Sequence, residues 1–175
     1  MTRRVSYLGG NCLHVEGGPR MPAHDTREQN MSQEFHKFWL KITALVIAGF
    51  APVLFLGTME ATSGPARLTI DMLSWPVDGV QTYDAPETRF LSALLGGFLL
   101  GWGVMVWCLS VWVHDLAPEP VRRSVVIGIV CWFLLDSAGS IASGTASNAL
   151  FNVVILLVAV GPLWRPATST TSTPS

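Results

Sequence analysis

Long apolar runs alternate with short polar breaks along the chain, and four of the runs reach about 20 residues, enough for a helix to cross a bilayer. They cover residues 38–58, 89–113, 124–143 and 147–164. A helix pairs its own backbone N–H and C=O groups, which hydrocarbon requires because it supplies no partners. The pattern therefore predicts an all-α membrane protein, a four-transmembrane-helix bundle.

The breaks carry the signals that start and stop helices. Asp84 stands where it would N-cap the second helix, with Pro86 in the first turn and Glu87 at the capping-box spacing. Pro118 and Pro120 break the chain after the second span, Ser143-Gly144-Thr145 reads as a tight turn, and Pro166 stops the fourth span. Pro52 lies inside the first span and is expected to kink it.

The longest break, 59–84, is acidic, with Glu60, Asp71, Asp78 and Asp84 against Arg67. Leu68, Met72 and Trp75 recur at helical spacing, predicting a short amphipathic helix on the outer interface. A lid packed on the bundle is the preferred reading of this loop over a receptor site. Residues 1–37 are read as a polar N-terminal segment without order, in which Met31 would be a natural start. Residues 38–164 form the transmembrane domain, and 165–175 a Ser/Thr/Pro-rich, disordered tail. The first span reads as a retained helix, although Ala61-Thr62-Ser63 would pass as a cleavage site, because its run exceeds an h-region of about 7–15 residues.

Composition agrees with a lipid-covered exterior. Charged residues are 13% of the chain, too few to solvate a soluble domain, which carries about 25%. A net charge of −1 argues against nucleic acid as a partner. Arg3, Arg4, Arg20, Arg27, Lys37 and Lys41 precede or open the first span, Arg122 and Arg123 lie between the second and third, and Arg165 follows the fourth. Only Arg67 and Arg89 fall on the other side, so the positive-inside bias places both termini in the cytoplasm. Trp39, Trp112 and Trp164 then share one interface as an aromatic belt. Cys12, Cys108 and Cys131 include no CxxC pair, and the latter two read as packing residues.

Asp136 is the most informative position. It lies in the third span about seven residues from the outer end, roughly 10 Å deep. A carboxylate at the membrane centre costs about 2.5–3.5 kcal/mol on insertion scales, so it should face the bundle interior and find partners. Ser140 lies one turn away, Asn148 and Asn152 enter from the fourth span, Ser92 lies on the second, and Arg89 is long enough to reach inward as a counter-charge. Together these residues would line a pocket opening outward. The competing reading is interhelical glue, worth about 0.6 kcal/mol per contact. Ala93, Gly97 and Gly101 recur at intervals of four on the second span and read as a face for helix packing, within the bundle or between chains.

Catalytic motifs are missing: there is no HExxH, P-loop, dinucleotide glycine motif or GxSxG, and no metal or other cofactor is expected. His36 and His114 flank the spans rather than face each other inside them, which argues against haem ligation.

Pro86 and Arg89, followed by Phe90-Leu91-Ser92-Ala93-Leu94-Leu95-Gly96-Gly97 and Gly101, a polar third helix and an Asn-rich entry to the fourth, resemble small bacterial four-helix inner-membrane proteins, broadly DoxX-like. The resemblance implies the architecture and a bacterial cytoplasmic membrane. Some DoxX-like proteins are associated with quinone or thiol redox chemistry, and the paired cysteines of a thiol role are lacking here. Two functions stand as expectations. One is a non-enzymatic accessory or scaffold subunit that packs against its own copies or a membrane complex. The alternative is a binding or permeation protein for a small polar solute, a proton or a quinone headgroup, acting around Asp136.

Overall fold

The computed structural model describes residues 23–166, with side chains described from residue 32 onward. The readings of 1–22 and 167–175 as disordered lie outside the described residues.

Among the described residues five α-helices follow one another. They are α1 (Ala23–Leu56), α2 (Gly64–Ser74), α3 (Pro86–Cys108), α4 (Pro118–Ala142) and α5 (Ala146–Val160). The stretches Ser32–Leu56, Pro86–Val113, Pro118–Ala142 and Ala146–Leu163 are long and apolar enough to cross a membrane. The protein is thus an all-α, multi-pass membrane bundle. Large apolar side chains point outward along these helices, among them Leu135, Phe98, Leu150 and Ile127, as lipid contact demands.

Several boundaries differ from the sequence reading. α1 begins at Ala23 rather than near residue 38, because the intervening segment is rich in Glu, Gln, Arg and Lys and holds no Gly or Pro. Pro118 starts α4 in its first turn instead of merely ending what precedes it. Asp84 does not cap α3; Ala85 occupies that position without a side-chain hydrogen bond. Beyond Cys108 the second span continues as a π-helical turn, Leu109–Val113, closed by His114 N–H on the Leu109 carbonyl at 2.9 Å. The expected Ser143–Thr145 turn is present, with Gly144 at φ 82°, a backbone angle that glycine adopts without steric cost. The outer-loop helix is present as α2, with Leu68 and Met72 exposed and Trp75 at its C-cap.

The helices pair as two hairpins, α1 with α3 and α4 with α5. The first is closed by Gly96 and Gly103. A Cβ on Gly103 would lie 2.7 Å from the Ala44 carbonyl oxygen and 2.8 Å from the Ala48 nitrogen and Cβ, so the backbones pass as closely as sterics allow. The hairpins meet mainly at the end that carries the 114–117 loop and the start of the first span, called the base here. There Leu40, Ala44, Val106, Val121, Val125, Ile129, Val160 and Leu163 form a single core drawn from all four spans. At the opposite end, the top, α2 bridges the hairpins, and Ser147 donates to the Leu73 carbonyl.

Candidate functional site

The residues expected around Asp136 fall into two separate groups. Asp136, Ser140, Asn148 and Asn152 come together between α4 and α5. Asn152, 2% exposed, donates its amide to Asp136 Oδ2 at 2.6 Å, and Asn148 donates to the same oxygen at 3.0 Å. Asn148 also reaches Ser140 Oγ at 2.8 Å, and Asn152 reaches Ser137 Oγ at 3.2 Å. Ser140 in turn donates to the Asp136 carbonyl at 2.7 Å. The spacing explains this. Asn148 and Asn152 are one turn apart on α5, so both amides reach one carboxylate on the facing helix.

Arg89 and Ser92 belong to the other hairpin. Arg89 does not pair with Asp136. Its Nε donates to the Tyr83 carbonyl at 2.8 Å, and its Nη2 lies 3.8 Å from Glu60. These partners lie on its own hairpin, so it is satisfied without crossing to α4. Ser92, buried, donates to the Leu54 carbonyl at 2.8 Å and takes the Tyr83 hydroxyl proton at 2.9 Å. Tyr83, 3% exposed, was not singled out by the sequence reading, although a tyrosine entering a bundle must find a partner for its hydroxyl. The outward pocket shared by Arg89, Ser92 and Asp136 is therefore not assembled.

The Asp136 group has the form of a structural clamp. Asp136→Ala would leave the buried Asn152 amide only its 3.2 Å contact with Ser137 Oγ and is expected to lower stability by about 1–3 kcal/mol. Asp136→Asn keeps an acceptor oxygen and should lose less. Thermal unfolding of the three proteins in detergent checks this, and equal stability of wild type and Asp136→Ala would reject the clamp.

Among the described residues, none packs closely against Gly97 or Gly101. A Cβ added to Gly97 or Gly101 would meet nothing within 4 Å. These residues instead line an apolar groove of about 600 Å³ with Leu94, Phe98, Trp102 and Met105, all on α3. The glycines that carry the internal contact are Gly96 and Gly103, on a different face of the same helix.

The base holds a polar layer that the sequence reading treated only as interface charge. Arg122, 9% exposed, makes two bonds to Glu119, at 2.8 and 2.6 Å, and donates Nη1 to the Leu163 carbonyl. Arg122 thereby ties α4 to the end of α5. Glu119 also accepts from Arg123 at 2.7 Å. His36 and His114 are 3% and 1% exposed. Their Nδ1 and Nε2 atoms respectively, with Trp39 Nε1, are buried without a hydrogen-bond partner among the described residues. Burial lowers the His114 pKa below its ordinary 6.5, with the Asp115 carboxylate opposing that shift. Lys37 bonds Asp115 at 2.6 Å and, together with His114, lowers the pKa of that exposed carboxyl. Ser110 and His114 continue the buried face of the second span that carries Gly103 and Val106, and the turn that holds Ser110, Leu109–Val113, is π-helical.

Among the described residues no group of three or more His, Cys, Asp or Glu side chains is placed to hold a metal ion. Cys108 and Cys131 are free thiols. The chain matches no family model, no curated protein and no solved structure.

Proposed function

We propose that this chain is a non-enzymatic accessory or scaffold subunit of a bacterial cytoplasmic membrane. In this reading both termini are cytoplasmic, and the Ala93–Gly97–Gly101 face of α3 receives a neighbouring transmembrane helix. One observation carries it: a small-residue face of the kind that lets helix backbones approach is left open among the described residues, while the close contact of α1 with α3 uses Gly96 and Gly103. In lipid such a face gains nothing from a hydrophobic drive, so its value lies in dispersion contact with another helix. The alternative, binding or permeation around Asp136, is less well supported because Arg89 and Ser92 are engaged on the other hairpin.

Gly97→Leu and Gly101→Leu fill the groove without touching the chain's own packing. Each is expected to insert and unfold like the wild type, yet to lose association at least about tenfold, or 1.4 kcal/mol. The measurement is the size of the particle extracted from membranes in mild detergent, with cross-linking before extraction. Wild-type particle size in both variants would overturn the proposal.

A further inference from the structure

We propose that His36 and His114 form an acid-released latch: neutral, they close the base where the two hairpins meet, and protonated, they open it. This does not depend on the groove reading.

The latch rests on position and on missing partners. Both imidazoles belong to the first hairpin, His36 on α1 and His114 just after the π-helical turn, and both are buried. They sit in the layer where that hairpin meets α4 and the end of α5, including the Pro162 carbonyl near His36. A charged imidazole carries protons on both ring nitrogens and needs two acceptors. His36 Nδ1 and His114 Nε2 have none among the described residues. A second proton on either ring would therefore be a buried, unpaired donor carrying charge.

The charged neighbours do not remedy this. From α4, Arg122 and Glu119 face His36. Arg122 is a fixed cation, and both Glu119 oxygens are already taken by Arg122 and Arg123. Around His114 stand Lys37 and Glu34 of α1 and Asp115 of the following loop; Asp115 gives Oδ2 to Lys37 and holds Oδ1 3.7 Å from His114 Nδ1, which still leaves His114 Nε2 without an acceptor among the described residues.

The sign of the pH dependence follows for His114. Its folded pKa lies below the ordinary 6.5, so its neutral form is the folded form. Its contribution is fully present above that value and is lost as pH falls from it toward the folded pKa.

The test uses the full chain in nanodiscs, with Cys12, Cys108 and Cys131 replaced by serine. Spin labels are placed at Phe38→Cys on α1 and Ile127→Cys on α4, both exposed positions. The inter-label distance is measured at about pH 7.5 and about pH 5, on either side of the imidazole range. The wild-type background should give a longer, broader distance in acid, with a thermal midpoint lower by roughly 4 °C. The double variant His36→Gln, His114→Gln should keep one distance at both values. Should that variant fail to insert, His114→Gln alone must blunt the acid shift. An unchanged wild-type distance, or glutamine variants that open as the wild type does, would overturn the latch.

Discussion

Gly103→Leu is expected to abolish stable pairing of α1 with α3. The first atom of any side chain there meets the Ala44 carbonyl oxygen and the Ala48 backbone nitrogen, at 2.7 and 2.8 Å. Backbone atoms in mid-helix cannot rotate away as the end of a side chain can, so the helices must separate along their length. Overpacking typically costs about 1–3 kcal/mol and more where the neighbours cannot yield. That is a large share of a total stability of about 5–15 kcal/mol. Even Gly103→Ala places its methyl carbon inside the same contact and should be clearly destabilising. Thermal unfolding in detergent, with Gly97→Leu as the same change on the open face, separates close approach from a general intolerance of bulk. A wild-type midpoint for Gly103→Leu would show that α1 and α3 do not approach as described.

Arg122→Met is the second large loss. The substitution removes both bonds to Glu119 and the bond to the Leu163 carbonyl, and it leaves Glu119 held by Arg123 alone. Breaking a buried pair by deleting one partner costs about 3–5 kcal/mol, because the remaining charge stays behind unpaired. The Arg123 contact argues for the lower part of that range. Adding Glu119→Gln to Arg122→Met should recover part of the loss, since it removes the stranded charge. Arg122→Lys should not restore stability: one ammonium cannot hold a carboxylate in two-point contact and reach a carbonyl on another helix. The readout is the unfolding midpoint of all four proteins. Full rescue by lysine would reduce the interaction to simple charge.

Each prediction turns on whether a feature written in the chain is also completed by a neighbour. Asp136 shows one that was legible. A carboxylate in an apolar run must have partners, and Asn148 and Asn152, spaced by one turn at similar depth, are the partners found. Arg89 shows one that was not. Its length and charge allow a reach toward Asp136, but Tyr83 and Glu60 on its own hairpin satisfy it first. Sequence spacing sets which residues share a helix face, not which faces meet.

The same limit separates the glycines. Gly96, Gly97, Gly101 and Gly103 are equivalent as letters, and the interval of four singled out Gly97 and Gly101. The rotation of α3 about its axis decided otherwise, turning Gly96 and Gly103 onto α1. That rotation depends on all the side chains between the helices and on no local motif.

Four apolar runs of spanning length, the short helix of the outer loop and the Ser143–Thr145 turn follow from the chain directly, because lipid leaves a backbone no alternative to helix and glycine punctuates locally. The division into two hairpins, the splitting of the expected polar pocket and the buried His36–His114–Arg122 layer came only with the tertiary structure. They depend on contacts between residues distant in the chain, whose apolar surroundings look alike in one dimension and differ only once the helices are packed.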